Sequence, residues 1–294
     1  MPVELGRVGI WTFALDLQPA ARAGELAAEL EEMGWGAIWV PEAVGREAPV
    51  NASLLLAATQ RIAVGTGIAN IYARDAMSMN AAWQTLSEAF PGRFLLGMGV
   101  SHQPSVEGLH GQEYTPPLAT MREYLDRMDA SLFVAAPPSQ PPERVLAALG
   151  PKMLELARDR TRGAHPYFVP PEHTEIARTI LGEDRLLAPE QMVVLDTDAA
   201  RARAVARAAM SMYVTLPNYA NNLLRLGFTE EDLGGDISDR LVDAIVAWGD
   251  AGTIAARVRA HHDAGADHVC VQVLPFDDID TVMSGYRTLA EALL

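Results

Sequence analysis

Three short stretches carry residue types that can do chemistry. The first is a pair of glycine-rich segments, Gly65-Thr66-Gly67-Ile68-Ala69-Asn70 and Gly97-Met98-Gly99-Val100-Ser101-His102. Glycine in a strand lets a ligand or another backbone come close, so a planar ring laid across these segments would find room; packing and turn formation are the plainer explanation. The second is Gly150-Pro151-Lys152-Met153, which opens a helix directly after a strand. A helix N-terminus offers free N–H groups and a partial positive charge suited to phosphate, and Lys152 is the lone lysine of the chain. The third is a set of titratable side chains, Glu42, His102 and His165, which can donate or accept protons if they face a site. His261 and His262 fall in a helix and are expected to be solvated.

Other chemistries lack their motifs. No HExxH and no Cys/His cluster occurs, so no metal is expected. GxSxG and GxxxxGK[ST] are missing, and Gly97-Met98-Gly99 lacks the third glycine and the later acidic residue of a dinucleotide fingerprint.

Positioning these groups falls to an alternation of strands and helices. Strands are read at 7–13, 37–40, 62–68, 94–100, 145–149, 164–169, 191–195 and 268–273. Helices are read from Pro19 to Met33 and at 54–58, 76–90, 118–135, 152–160, 172–181, 198–222, 239–248, 253–264 and 279–293. Met33-Gly34-Trp35-Gly36-Ala37, Arg162-Gly163-Ala164 and Ala264-Gly265-Ala266-Asp267 each leave a helix and enter a strand. Eight strands alternating with helices in 294 residues predict one (β/α)8 TIM-barrel domain over 1–294, with extra helices in the long connection between strands seven and eight. In such a barrel the active site lies at the C-terminal strand ends. Glu42, Ser101 and His102 are therefore expected to converge at one mouth.

Composition narrows the partners. A net charge of −15 disfavours nucleic acid and anionic membranes, and no apolar run is long enough to span a bilayer. The segment Met1-Pro2-Val3-Glu4 has neither a basic start nor an apolar signal core. The one cysteine, Cys270, cannot form an internal disulfide and reads as a small buried hydrophobe. A cytoplasmic protein is expected.

The same segments resemble a known family. Gly65 to Arg74 in Gly-Thr-Gly-Ile-Ala-Asn-Ile-Tyr-Ala-Arg, Pro91-Gly92-Arg93-Phe94-Leu95-Leu96-Gly97-Met98-Gly99, and Ala147-Ala148-Leu149-Gly150-Pro151-Lys152-Met153-Leu154-Glu155-Leu156-Ala157 followed by Gly163-Ala164-His165-Pro166-Tyr167 are similar to luciferase-like F420-dependent oxidoreductases of an actinobacterial type. The resemblance spans nearly the whole chain. It implies a deazaflavin ring, coenzyme F420, across the strand ends near Trp11, Gly67, Ile68, Asn70 and Ser101, with a non-prolyl cis peptide at Gly67–Ile68 behind it. It places the tail phosphate at Gly150, Pro151, Lys152 and Met153 and at Gly163, Ala164 and His165. Hydride would pass between C5 of the ring and a small substrate, and a homodimer is expected. Several relatives carry an acid followed by histidine after strand two; here the pair is Glu42-Ala43, so that base is missing. Glu42 keeps a polar role and His102 is the replacement acid/base. Two other readings stay open: an FMN-dependent monooxygenase of the same family, and a non-catalytic flavin-binding barrel.

Overall fold

The computed structural model describes residues 2–294. The chain alternates β1 (Val8–Trp11), α1 (Ala20–Met33), β2 (Ala37–Val40), α2 (Ala48–Ala58), β3 (Ala63–Thr66), β4 (Ala69–Asn70), α3 (Ala76–Ala89), β5 (Phe94–Gly99), α4 (Gln103–Gly108), α5 (Pro117–Asp129), β6 (Glu143–Leu146), α6 (Pro151–Arg160), β7 (Gly163–Ala164), α7 (Pro171–Leu181), β8 (Leu186–Leu187) and β9 (Glu190–Val194). There follow α8 (Ala199–Met210), a 3₁₀ turn (Tyr213–Thr215), α9 (Pro217–Arg225), α10 (Glu230–Leu233), α11 (Asp239–Ile245), β10 (Val246–Trp248), α12 (Ala251–Asp263), β11 (Val269–Val273) and α13 (Ile279–Leu293).

All pairings are parallel, in the order β10-β9-β11-β1-β2-β3-β5-β6-β7-β8, with β4 beside β5. Residues 186–194, which run from β8 into β9, join the β7 side of this order to the β11 side. On one side the Ala188 N–H donates to Ala164 O and the Glu190 N–H to Pro166 O; on the other, the Cys270 N–H donates to Pro189 O. Parallel strands need helical crossovers, and these put helices on the outer face.

The helices dock by period. Ala23, Leu26, Ala27 and Leu30 form the buried stripe of α1. Gly34 ends it at φ 99°, a left-handed cap that a side chain would strain. The main core lies between helices and strands. A smaller one fills the strand ring with Trp11, Trp39, Leu95, Val145 and Cys270, closed below by Val3 and Leu5. Trp39 organises this interior. Its indole Nε1–H donates to His268 Nε2 (3.1 Å) and its ring stacks on His165 at 4.3 Å and 8°.

Several elements differ from the sequence-based boundaries. The sixth strand is only Gly163–Ala164, because Pro166 has no N–H to give and Phe168 turns the chain at φ 61°. The seventh begins at Leu186, hidden in the sequence by the Pro189 interruption. The strand read at 145–149 is β6, which ends at Leu146, and α5 stops at Asp129. Helix α2 starts at Ala48, with Pro49 in its first turn and the Glu47 carboxylate accepting the Val50 N–H. The segment read as one helix over 239–248 ends in strand β10, which pairs with β9. His261 is fully buried, not solvated: Nε2–H donates to Gln191 Oε1 and Nδ1 accepts from the Thr174 hydroxyl. Burial, then Arg257, pushes it down to about 3, so it is a neutral core histidine. Cys270 is buried as expected. No described helix is long and apolar enough to cross a membrane.

One carboxylate joins α1 to the third strand. Glu31 is nearly buried and accepts the N–H groups of Gln60, Arg61 and Ile62. Burial disfavours its charge, but the three amides outweigh it and hold the carboxyl below its usual 4.5. Glu31→Ala is expected to cost about 3 kcal/mol in urea unfolding at pH 7. The folded state lowers this pKa, so the contribution is complete above the unfolded value and is lost as pH falls through the folded one. The gap between wild type and variant should therefore narrow below about pH 4.5; a gap independent of pH would show that the charge is not what holds the loop.

Candidate active site at the strand ends

The parallel sheet sends the C-terminal ends of β2, β4 and β5 to one rim. Glu42 follows β2, and its carboxylate is fully engaged. Oε2 accepts the Asn70 N–H (2.6 Å) and an Arg74 guanidinium N–H (2.9 Å); Oε1 accepts the Ala48 N–H (2.9 Å) and a second Arg74 donor. Arg74 also meets Glu47 at 2.8 Å. Glu42 and Arg74 are both about nine-tenths buried. In this geometry Glu42 is a strut for Asn70, with both carboxylate oxygens engaged. Asn70 in turn receives the Tyr72 N–H at Oδ1, and its Nδ2 lies 3.3 Å from His110 Nε2.

Ser101 and His102 stand at the end of β5, on the same rim as Glu42 but with other partners. Ser101 is a non-glycine residue at φ 55°, which turns the chain out of the strand. The His102 Nδ1–H donates to Asn218 Oδ1 at 3.0 Å, and its ring lies 5.4 Å from Tyr219. Both partners belong to α9. Burial lowers the His102 pKa below 6.5, and the bond to Asn218 opposes that shift. A neutral His102 in this arrangement carries its proton on Nδ1 and leaves Nε2 as the acceptor.

Trp11 and Gly67 lie deeper. The Trp11 Nε1–H donates to Gly67 O at 3.0 Å, and the peptide Gly67–Ile68 is cis. The glycine segments answer to packing. A Cβ on Gly67 would stand 2.6 Å from Trp11 Nε1 and 3.1 Å from His165 Nε2, and one on Gly99 2.6 Å from Ile68 Cδ1. The close neighbours of these glycines are the protein's own side chains. Ile68 is half-buried.

Above Trp11 an aromatic group closes the mouth. Tyr167 lies 4.8 Å from Trp11, with Tyr213 and Tyr219 against Tyr167 and Phe168. The Tyr167 hydroxyl is within hydrogen-bond distance of Tyr213 Oη (2.9 Å) and Gln272 Oε1 (3.0 Å). Beneath them Glu190 is buried, with Oε2 accepting the Phe168 N–H and Oε1 unpartnered; burial pushes its carboxyl up to about 8, and the Phe168 N–H opposes the rise.

The loop after β6 has the expected form in part. Gly150 caps α6 without a side-chain cap bond, Pro151 and Lys152 are exposed and Met153 is half-buried. Arg225 Nη2 lies 3.7 Å from where a Gly150 Cβ would stand and donates to Asn222 Oδ1. Asn222 is buried and its Nδ2 has no partner. The second half of the expected phosphate site is buried. Gly163 and Ala164 are buried strand residues, and a Cβ on Gly163 would meet Leu186 O at 1.8 Å. His165 is 1% exposed, gives Nδ1–H to Ala188 O and is pushed down to about 4 by burial, the bond to Ala188 opposing. The His165 Nε2 has no hydrogen-bond partner and faces Gly67.

The sequence profile of luciferase-like monooxygenases matches residues 6–268. The chain belongs to this luciferase-like family. A Mycobacterium tuberculosis relative, provisionally named a coenzyme F420-dependent oxidoreductase, is 26% identical over 92% of this chain and 94% of its own. Among solved structures, an F420-dependent secondary alcohol dehydrogenase in complex with an F420-acetone adduct covers both chains completely at 15% identity and TM-score 0.77. The oxygenating constituent of a Pseudomonas putida type II Baeyer-Villiger monooxygenase, in complex with FMN, has TM-score 0.70 at 14% identity, covering 98% of this chain and 99% of that one. At these identities the structural likeness establishes the luciferase-like barrel fold.

Reasoning from sequence missed the residues of α9, Tyr213, His110 and Arg74. Asn218, Asn222 and Arg225 recur at i, i+4 and i+7, a polar helical face that was readable; its docking partner was not. If Glu42 is a strut, Glu42→Ala should cost about 3 kcal/mol in denaturant unfolding by leaving Arg74 half-paired and Asn70 unheld. Wild-type stability in Glu42→Ala would refute the structural role.

Proposed function

We propose that this protein is an oxidoreductase using coenzyme F420, which passes a hydride between C5 of the deazaflavin and a small organic substrate. The observation that carries the reading is the donor set at the start of α6. An uncapped helix N-terminus, Lys152, Arg225 and the unpartnered Nδ2 of buried Asn222 gather there in a chain of net charge −15. Such a set suits the anionic tail of a coenzyme. The F420-named relative supports the same choice.

Bound F420 would supply a two-electron carrier, its ring lying toward Trp11, Ile68, Asn70 and Ser101. The remaining work belongs to the protein. Trp11 and Tyr167 wall the mouth, while the helices between β9 and β11 act as the extra cover that excludes water. Glu42 fixes the backbone at Asn70. His102, neutral with Nε2 free, takes a proton from the substrate or, once charged, returns it. Its lowered pKa keeps the base form present above pH 6.5, so the acid limb of a pH–rate profile for substrate oxidation should lie below that value. We assign the protein to the cytoplasm and expect a homodimer. An exposed apolar face with Leu17, Val50 and Leu54 beside the α1–α2 groove favours the dimer, which sedimentation would test.

FMN is the second reading, favoured by the FMN-bound neighbour of the same fold. Equilibrium binding to purified protein decides. F420 should bind more tightly than FMN, and Lys152→Ala or Arg225→Ala should each weaken it about tenfold, or about 1.4 kcal/mol. Tighter FMN binding would support the monooxygenase. No binding of either would support a non-catalytic barrel. Unchanged affinity in both variants would remove the α6 site.

A further inference from the structure

We propose that Asn218 is a positioning residue: it selects the His102 tautomer with the proton on Nδ1, so that Nε2 presents its lone pair at the rim. This deepens the reading of His102 as the acid/base and rests on it only for the catalytic meaning of the tautomer.

Three observations support the assignment. The oxygen of a side-chain amide can only accept, so the 3.0 Å contact between His102 Nδ1 and Asn218 Oδ1 requires hydrogen on Nδ1. In neutral imidazole that leaves Nε2 as the acceptor. The Tyr219 ring, next in α9, lies 5.4 Å from the imidazole and limits its rotation. Burial lowers the His102 pKa and the bond to Asn218 opposes that shift, so the amide favours a hydrogen-bearing ring.

The position of Asn218 in α9 gives the contact a wider consequence. Asn218, Asn222 and Arg225 share one face of that helix. Its C-terminal end stands beside Gly150, where the coenzyme tail is proposed to sit, and its N-terminal end holds His102. An anion bound by Arg225 and Asn222 would stabilise α9 in the place from which Asn218 reaches His102. Occupancy of the tail site and orientation of the acid/base are thereby coupled through nine residues of helix.

Nitrogen-15 NMR of the histidine side chains tests this directly, because it reads tautomer and pKa for each ring. His102→Gln identifies the signal. Wild type should show His102 mainly protonated on Nδ1 at pH 8. Asn218 is exposed, so Asn218→Leu should leave the fold and the other six histidines unchanged. The variant should shift the His102 tautomer ratio toward Nε2–H by about fivefold, as loss of one ordinary hydrogen bond implies. Asn218→Asp should restore the Nδ1–H form and raise the His102 pKa by about one unit, a carboxylate favouring the charged ring. An unchanged tautomer ratio in Asn218→Leu, or a wild-type ring protonated on Nε2, overturns the proposal. Saturating F420 should increase the Nδ1–H fraction in wild type but not in Arg225→Ala; an equal response in both overturns the coupling. Failure of F420 to bind wild type would sink the proposed function, while the result on Asn218→Leu without ligand would still decide the positioning role.

Discussion

The rim depends on one buried ion pair. Parallel strands deliver unpaired backbone N–H groups to their loop connections, and a buried N–H without a partner is costly. Glu42 meets that demand at the junction of three elements. It takes the N–H of Asn70 beyond the third strand and of Ala48 at the start of α2, while Arg74 neutralises it. A charge buried this far is tolerated only when paired and bonded, and here every lone pair has an assigned partner. Asn70 is then held where its side chain meets His110 and its strand pairs with the end of β5. His102 starts three residues later. The group that follows β2 thus acts through the architecture that positions another group.

The interior works by the opposite rule, neutrality. His165 and His268 occupy the ring with Trp39, and burial pushes both down to about 4, each opposed by one backbone carbonyl. Their protons sit on Nδ1 because carbonyls of Ala188 and Gly6 accept there. The glycines at 65, 67 and 99 follow from this crowding. Trp39 fills the space a side chain at 65 would need, and Trp11 with His165 the space at 67. The interior of the ring is thereby filled by the protein's own side chains.

Local signals made much of this legible. Glycines at 34, 163 and 265 marked where the chain leaves α1, α6 and α12 for a strand, and an apolar stripe marked the docking face of α1. The misread parts share a physical cause. Pro166 and Pro189 interrupt strands six and seven, where pairing is rescued by neighbours distant in sequence. His261 looked like a polar helix residue, yet two partners 87 and 70 residues away make it a core group. His165 ends a strand, but the stacking with Trp39 that turns it inward cannot be read from its own segment. Lys152 and Gly150 were legible because a helix start is local; Arg225 and Asn222 were not, because only the docking of α9 brings them there.

Charge distribution explains how so acidic a chain can favour an anion at one place. Many of its arginines are spent on the surface. Arg158, Arg160, Arg201, Arg203 and Arg207 are each tied to carboxylates. Arg225 is instead bonded to the neutral Asn222, and Lys152 projects from a helix start. Screening at physiological salt limits the reach of exposed charges to about 8 Å. Beyond that distance the net charge slows the approach of an anion; within it the few uncompensated donors decide. Helix α9 brings one of those donors to α6 and an amide oxygen to His102. Under the proposed function, capture of an anionic tail and orientation of a proton carrier would be tasks of one element, which is held by Tyr219 and Leu223 packing into the second core.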